Sequence, residues 1–429
     1  MRVRFLEELS RSDEEALVAR NRAPFREKLP EIQRIINQVR EGGDAALRHL
    51  TRAFDRVDLE SLEASPGEVE AAHRAVGAQT RQALQQAIAH VERYHALQIG
   101  GDRREVLAPG IQAGWLTRPI ERVGLYAPGG RAVYPSSVIM AGVPARLAGC
   151  PLRVLCVPPA PDGGIPPATL VAADLVGVHR VFKVGGAQAI AALAYGTETV
   201  PRVDKIFGAG NLWVTGAKVL VSQDVAIDLP AGPSEVLILA DETAPARWVA
   251  ADLLAQAEHG PDSVCLLVTP SLTLAQAVAA EVLSLAQGLP TQEVALKALA
   301  DAGAILVGRD WEACLAFANR FAPEHLEVMA AAPEGLLPQI AHAGSIFLGA
   351  HTPVAAGDYA VGPNHVLPTA GHARAYSALS VAAFTRTVQV QSLSPQGLRS
   401  LGEAIITLAE VEGLPAHAQS IRVRLEEGR

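Results

Sequence analysis

The sequence predicts an α/β protein made of two Rossmann-like parallel-sheet domains, with small helical segments at its N-terminal and C-terminal ends. Three observations carry this. From residue 121 to 229, short runs rich in Val, Ile and Leu alternate with helix-length segments, and the same alternation restarts at Glu235 and continues to Leu348. Glycine-rich turns follow several strands, as in Gly185-Gly186-Ala-Gln188 and Gly208-Ala-Gly-Asn211. The connections are long enough for right-handed crossovers between parallel strands. The Gly-x-Gly-x-x-Gly fingerprint is missing: Gly208-Ala-Gly-Asn-Leu-Trp213 comes closest and breaks at its last position.

Taken in order, residues 1–25 are charged and amphipathic, a helical arm lying on something else. The stretch from Pro30 to about Leu97 reads as helical, with Ile32, Ile35, Ile36 and Val39 at helical spacing and one long helix from Glu68 to Leu97. Asp44 and Ser65-Pro66 are its start signals. The first alternating run predicts strands at Val123–Tyr126, Leu152–Val157, Arg180–Val184, Lys205–Phe207 and Val225–Leu229, with helices between them. The second predicts strands at Val236–Ala240, Val264–Val268, Ile305–Val307, Leu326–Met329 and Ser345–Leu348. Residues 350–375, rich in Gly, Pro, His and Thr, form a long irregular loop of the kind that usually carries function. The tail from about Phe384 adds a short strand, Thr387–Val390, and one or two helices.

Composition narrows the function classes. The 429 residues are 49% hydrophobic and 19% charged, which describes a packed globular chain with room for more than one core. A net charge of −8 without a basic stripe argues against nucleic acid as a partner. The start lacks the apolar core of a signal peptide, and no run is long enough to span a bilayer. Cys150, Cys156, Cys265 and Cys314 are widely spaced, as expected of buried structural thiols in a cytoplasmic protein.

Four constellations can carry chemistry. Gln256 and His259 stand three apart at the end of the helix Ala246–Glu258, on one face and one turn apart, where Gly260-Pro261 stops the helix. A helix-terminal histidine that merely offsets the dipole is the commoner situation. Glu324-His325 sits at the mouth of a strand after Pro323; a carboxylate can activate water and an imidazole can take a proton near neutral pH. Asp358 and His365 lie in the irregular loop, and Glu412 and His417 in the tail. Gln256, His259, Asp358 and His417 make a nitrogen and oxygen set suited to zinc, though manganese, cobalt or iron also accept such donors. The glycine turns suit a docked pyrophosphate, and equally suit tight turns that need glycine for geometry. Tyr126 reads as a buried strand aromatic from the residue alone, and His342, His351 and His372 as solvated surface histidines.

The chain resembles histidinol dehydrogenases. The resemblance rests on Gly-Leu-Tyr126-Ala-Pro-Gly-Gly, Val-Gly-Gly-Ala-Gln188-Ala-Ile-Ala-Ala-Leu-Ala, Pro-Ala-Gly-Pro-Ser234-Glu, Gln256-Ala-Glu-His259-Gly-Pro-Asp-Ser, Ala-Pro-Glu324-His325-Leu-Glu and Gly-Pro-Asn-His365-Val-Leu-Pro-Thr, in order over roughly residues 25–420. It implies an aldehyde-dehydrogenase-like arrangement of the two domains. It also implies oxidation of L-histidinol through L-histidinaldehyde to L-histidine with two NAD⁺ and one zinc ion per subunit, in histidine biosynthesis. By motif, Gln256, His259, Asp358 and His417 match the zinc ligands. Glu324 and His325 match the acid/base pair, and Tyr126, Gln188 and Asn211 match NAD contacts. Ser234, His325, His365, Glu412 and the zinc ligands border the substrate. A homodimer is implied, with His417 and Glu412 reaching the partner's site. Ala209, Leu212-Trp213 and Ala370 depart from the family pattern; Ala370 stands where glycine is usual after Pro-Thr.

The resulting division places an arm at 1–25, a first α/β domain at 26–120 with 233–380 carrying the zinc and acid/base residues, an NAD-side domain at 121–232, and a tail at 381–429. Two rivals remain at this point. A zinc hydrolase with Glu324 as base leaves the glycine turns idle, and a non-catalytic α/β binding protein leaves the acid/base residues idle.

Overall fold

A computed structural model describes residues 1–20, 23–129, 133–229 and 232–427. Two parallel sheets organise it. The larger has six strands in the order Val3–Phe5, Gly303–Val307, Val264–Thr269, Glu235–Ala240, His325–Met329 and Ser345–Leu348, all parallel. Its central strand Glu235–Ala240 (Glu-Val-Leu-Ile-Leu-Ala) is buried along its whole length, as a strand covered on both faces must be. Helices Ala246–Ala257 and Leu272–Ala286 cover one face of this sheet, and helix Trp311–Phe321 covers the other.

The second sheet has five parallel strands in the order Arg180–Lys183, Leu152–Val157, Arg122–Tyr126, Lys205–Phe207 and Ala226–Ile227. Between its strands run helices Pro135–Leu147, Pro167–Leu175, Gly186–Tyr195 and Leu212–Val221. All four cysteines are buried and unpaired, as the spacing predicted.

Four features differ from the sequence reading. The helical region 26–96 does not join the six-stranded lobe. Ile32, Ile35, Ile36 and Val39 pack with Ile190, Ala217 and Phe182 on the five-stranded sheet, while Leu84, Ile88 and Val91 pack with Val138 and Val143 on its other side. Apolar periodicity shows that a helix has a buried face but not which sheet receives it. The long helix 68–97 is two helices, Pro66–Ala75 and Ala78–Ala96, separated by Val76-Gly77; Ser65 and Glu68 form a capping box at the start of the first. The arm contributes Val3–Phe5 as an edge strand and docks helix Arg11–Ala19 near Trp311–Phe321.

The fourth difference is a third sheet. Arg103–Ala108 and Ile111–Pro119 form an antiparallel pair that takes Thr385–Leu393 as its third strand. Their mixed charged and apolar residues carry little alternation, so the sequence concealed them. Beyond this sheet, helices Pro395–Val411 and Pro415–Glu427 pack on each other. Val411 is 79% exposed and Leu408 62%, so this tail presents apolar surface to solvent.

Candidate active site

Apart from Glu412 and His417 on the tail, the polar site residues singled out from the sequence gather at opposite edges of the two sheets. On the five-stranded sheet they lie at the carboxyl ends of strands, the usual ligand position in open α/β sheets. Tyr126 ends its strand, and its hydroxyl accepts the backbone N–H of Gly186 at 3.1 Å. Burial pushes the Tyr126 phenol above its ordinary range, so it stays neutral. Gln188 is buried on the first turn of helix Gly186–Tyr195. Asn211 caps the next helix, its side-chain oxygen accepting from the N–H groups of Trp213 and Val214 at 3.1 and 3.3 Å. Gly208 has a φ of 127°, and a Cβ there would lie 2.2 Å from the Tyr126 carbonyl oxygen. Under this turn, the buried Lys218 ammonium pairs with Asp228 and donates to the Gly208 carbonyl at 2.8 Å, while the Gly208 N–H donates to Asp228 at 2.8 Å. Trp213 sits beneath the Lys28 ammonium, 5.3 Å from the ring centroid, so this departure from the family pattern is used against the helix Ala23–Asp55.

On the six-stranded sheet the polar residues lie at the amino ends of strands. Glu324 ends the turn leading into His325–Met329, and its Oε2 accepts from the Ser234 hydroxyl and the Glu235 backbone N–H, each at 2.8 Å. Burial holds the Glu324 carboxyl well above the usual carboxylate range, with the Glu235 N–H and Ser234 hydroxyl pulling it back. A carboxyl with raised proton affinity is a stronger proton acceptor once ionised. His325 Nδ1 lies 2.8 Å from the Glu235 carbonyl, which can only accept, so Nδ1 carries the hydrogen and Nε2 the lone pair. Nε2 is buried without a hydrogen-bond partner, 3.9 Å from the Asp358 carboxylate. Burial lowers the imidazole's proton affinity against the attraction of Asp358, which keeps the ring neutral at pH 7.

Two further imidazoles show the same arrangement. His365 Nδ1 donates to the Asp358 carbonyl at 2.9 Å, and His259 Nδ1 lies 3.2 Å from the Ala255 carbonyl. Each thereby presents Nε2 as the lone-pair nitrogen, the tautomer a metal or proton donor needs. Burial, opposed by Asp358, also holds His365 low, and His325 and His259 act on it as further neighbouring charges. A cavity of about 70 Å3 opens here, lined by His325, Ser345, Phe347, Asp358 and His365.

Gln256 is buried on helix Ala246–Ala257, and neither its side-chain nitrogen nor its oxygen has a partner. Helix Val354–Tyr359, which carries Asp358, packs against that helix. Glu258, between Gln256 and His259 in sequence, instead accepts from the Thr291 hydroxyl at 2.8 Å. His417 and Glu412 are exposed on the tail, and among the described residues no hydrogen bond or ion pair joins their side chains to this group. Among the described residues, no cluster of three His, Cys, Asp or Glu side chains is set to hold a metal. Of the spare histidines, His351 lies against the Trp248 ring and His372 against Tyr376, at 5.1 and 5.7 Å between centroids.

Sequence reasoning missed several residues that shape this edge. Glu327, two along from His325, accepts the Val354 N–H at 2.7 Å and so holds the start of the Asp358 helix. It faces Asp252, one turn before Gln256; burial keeps Glu327 well above the carboxylate range and raises Asp252 to about 6. Asn364 donates to the Met140 carbonyl at 2.7 Å and reaches the buried His95, pinning the irregular loop to the other lobe. The period-2 and period-4 spacings to His325 and Gln256 were visible signals for Glu327 and Asp252. Asn364 carried none beyond its place beside His365.

A buried neutral imidazole presenting Nε2, beside a carboxyl of raised proton affinity, is the equipment of an acid/base enzyme. Comparison with known proteins agrees with that class. The histidinol dehydrogenase family matches residues 18–425. A histidinol dehydrogenase from Methanothermobacter thermautotrophicus is 48% identical over 411 residues, 96% of either chain. One from Methanocaldococcus jannaschii is 45% identical over 427 residues, 99% of either chain. The crystal structure of histidinol dehydrogenase from Elizabethkingia anophelis superposes with a TM-score of 0.95 at 39% identity, covering 100% of this chain and 98% of that one. The chain belongs to the histidinol dehydrogenase family and is a dehydrogenase.

Proposed function

We propose that the chain oxidises L-histidinol to L-histidine through bound L-histidinaldehyde, reducing two NAD⁺, as the closing chemistry of histidine biosynthesis. The observation that carries the reading is the His325 geometry: Nδ1 is committed to the Glu235 carbonyl, and Nε2 is buried, unprotonated and unpartnered. His325 Nε2 takes the hydroxyl proton of the alcohol as hydride leaves the same carbon. The aldehyde stays in the site, protected from solvent. Glu324, oriented by Ser234 and the Glu235 N–H, takes a proton from the water that adds to the aldehyde carbon. His325 returns its first proton to the aldehyde oxygen as the hydrate forms, and then takes a hydroxyl proton of the hydrate as the second hydride leaves. NAD⁺, when bound against Tyr126, Gln188 and Asn211, supplies the hydride acceptor for both oxidations.

The residues present fit a zinc ion. Gln256 has two orphaned buried polar atoms, and His259 has its Nδ1 on a backbone carbonyl and its Nε2 available. Gln256, His259 and Asp358 would hold the metal together with His417 of the partner subunit. Zinc, when bound, supplies a fixed cation that orients the substrate's nitrogen atoms. His365 and Ser234 would border the substrate, with Glu412 of the partner subunit closing it. The exposed apolar tail supports this homodimer, since a solvent-facing Val411 and Leu408 want a cover. No helix among the described residues is long and apolar enough to cross a membrane. Buried reduced thiols support a cytoplasmic location.

The test is purified protein with zinc, histidinol and NAD⁺, followed by absorbance of the reduced cofactor. Two reduced cofactors per histidinol are expected. Failure of any reduction by a zinc-loaded, folded protein overturns the reading.

A further inference from the structure

We propose that Arg20, at the end of the N-terminal arm, is a positioning residue for the acid/base pair, acting through the carboxylate of Glu235. The inference rests on the functional reading above for what the pair does, and on separate geometry for how it is held.

One peptide serves both groups. The Glu235 backbone N–H donates to Glu324 Oε2 and the Glu235 carbonyl accepts from His325 Nδ1, each at 2.8 Å. A shift of this residue therefore moves both catalytic side chains together. The Glu235 side chain cannot anchor itself: it is 1% exposed, and a buried carboxylate needs a counter-charge and hydrogen bonds. Arg20 supplies them. Its Nε donates to Glu235 Oε2 at 2.9 Å, and its side chain in the ion pair is 8% exposed. The backbone N–H of Ala370 donates to the other oxygen.

The same guanidinium lies 3.6 Å from the centroid of the Phe321 ring. Phe321 is three residues before Glu324, at the end of the helix that leads into the catalytic turn. Arg20 thus touches both approaches to the pair, the Ser234-Glu235 turn by charge and the Phe321–Pro323 turn by stacking. Arginine suits this task because its planar fork can hydrogen-bond a carboxylate along its edge while its face covers an aromatic ring. The Arg11–Ala19 helix and the Val3–Phe5 edge strand fix where Arg20 emerges. The arm is thereby part of the catalytic framework.

The test compares Arg20→Met, Arg20→Lys and the double variant Arg20→Met/Glu235→Gln with the parent zinc-loaded enzyme. Arg20→Met is expected to lower kcat by about tenfold to a hundredfold, as a misplaced reacting group does, with KM little changed. Arg20→Lys recovers part of the loss. The double variant, which leaves no uncompensated carboxylate, recovers more of kcat than Arg20→Met retains. A readout independent of turnover is the downfield proton resonance of the His325 Nδ1–H, expected in the parent and broadened or lost in Arg20→Met. If that resonance and kcat are unchanged in Arg20→Met, the positioning role is overturned. It is also overturned if kcat and KM worsen alongside global unfolding and the double variant is no better. A parent that shows the resonance but no histidinol-dependent reduction of NAD⁺ fails the functional reading instead, leaving the resonance comparison to decide on Arg20.

Discussion

The carboxyl edge of the five-stranded sheet and the amino edge of the six-stranded sheet both hold buried polar side chains, but treat them differently. On the first, the chain pairs most of its own groups: Tyr126 with Gly186, Asn211 with its helix start, Lys218 with Asp228 and two carbonyls; one oxygen of Asp55, a charge felt by Tyr126, is the exception. On the second, Gln256 and His325 Nε2 are buried and left without partners. Buried polar groups are normally paired, because desolvation without a hydrogen bond is costly. On the five-stranded edge these pairs serve the fold, and a ligand meets side chains already held in place. The amino edge keeps buried polar atoms that the chain itself leaves unpaired.

The comparison breaks if substitutions at the two edges have the same consequences. His325→Asn is expected to give the largest loss of turnover, about 10²–10⁴-fold in kcat, with thermal stability near that of the parent. Because burial lowers the imidazole's proton affinity, the first-oxidation kcat of the parent should stay level as pH falls to about 6.5, the ordinary imidazole value, and decline only below it. Lys218→Met should do the reverse. Stranding Asp228 in the interior costs roughly 3–5 kcal/mol of stability, read as a fall in denaturation midpoint. Any residual fold should still turn over. A Lys218→Met protein as stable as the parent would remove the basis for separating the edges.

Intermediate effects sharpen the division inside the amino edge. Glu324→Gln keeps acceptance from Ser234 and the Glu235 N–H through its amide oxygen, but loses the ability to take a proton. It is expected to spare alcohol oxidation and impair aldehyde oxidation, measured separately with histidinol and histidinaldehyde. Equal loss of both sinks the assignment of Glu324 to the water step. Gln256→Met removes two orphaned polar atoms, so the metal-free protein should gain about 1 kcal/mol while zinc affinity falls. A chelator titration with calorimetry checks both; a loss of metal-free stability would mean that Gln256 serves the fold.

How far the sequence could be read follows the same line. Strands and helices of the two sheets were legible because each buries an apolar face with its own periodicity; Lys205–Phe207 and Ser345–Leu348 appear with the predicted bounds. The placement of the 26–96 helices and the sheet of Arg103–Ala108 and Ile111–Pro119 was not, since both depend on which distant surface receives them. Glu324 and His325 were legible as a carboxyl and an imidazole side by side at the mouth of a strand. Glu235 and Arg20 were not, because their meeting joins positions 215 residues apart and neither belongs to a local pattern.

The smallest expected effect concerns backbone strain, where the two edges differ again. At the carboxyl edge the left-handed turns are made by glycines, Gly186 with φ 63° and Gly208 with φ 127°. At the amino edge they are made by alanines, Ala322 with φ 51° and Ala370 with φ 54°, one before Glu324 and the other donating to Glu235. A non-glycine residue in this region is disfavoured by roughly 1–2 kcal/mol. Glycine avoids that but loses roughly 0.5–1 kcal/mol of chain entropy on folding. Ala370→Gly should therefore raise stability by less than about 1 kcal/mol, a melting shift of roughly 1–2 °C in a chain this long. It should leave kcat unchanged, since the N–H to Glu235 survives the substitution. A melting temperature that falls instead would show that the Ala370 methyl packs against the loop strongly enough to outweigh its strain.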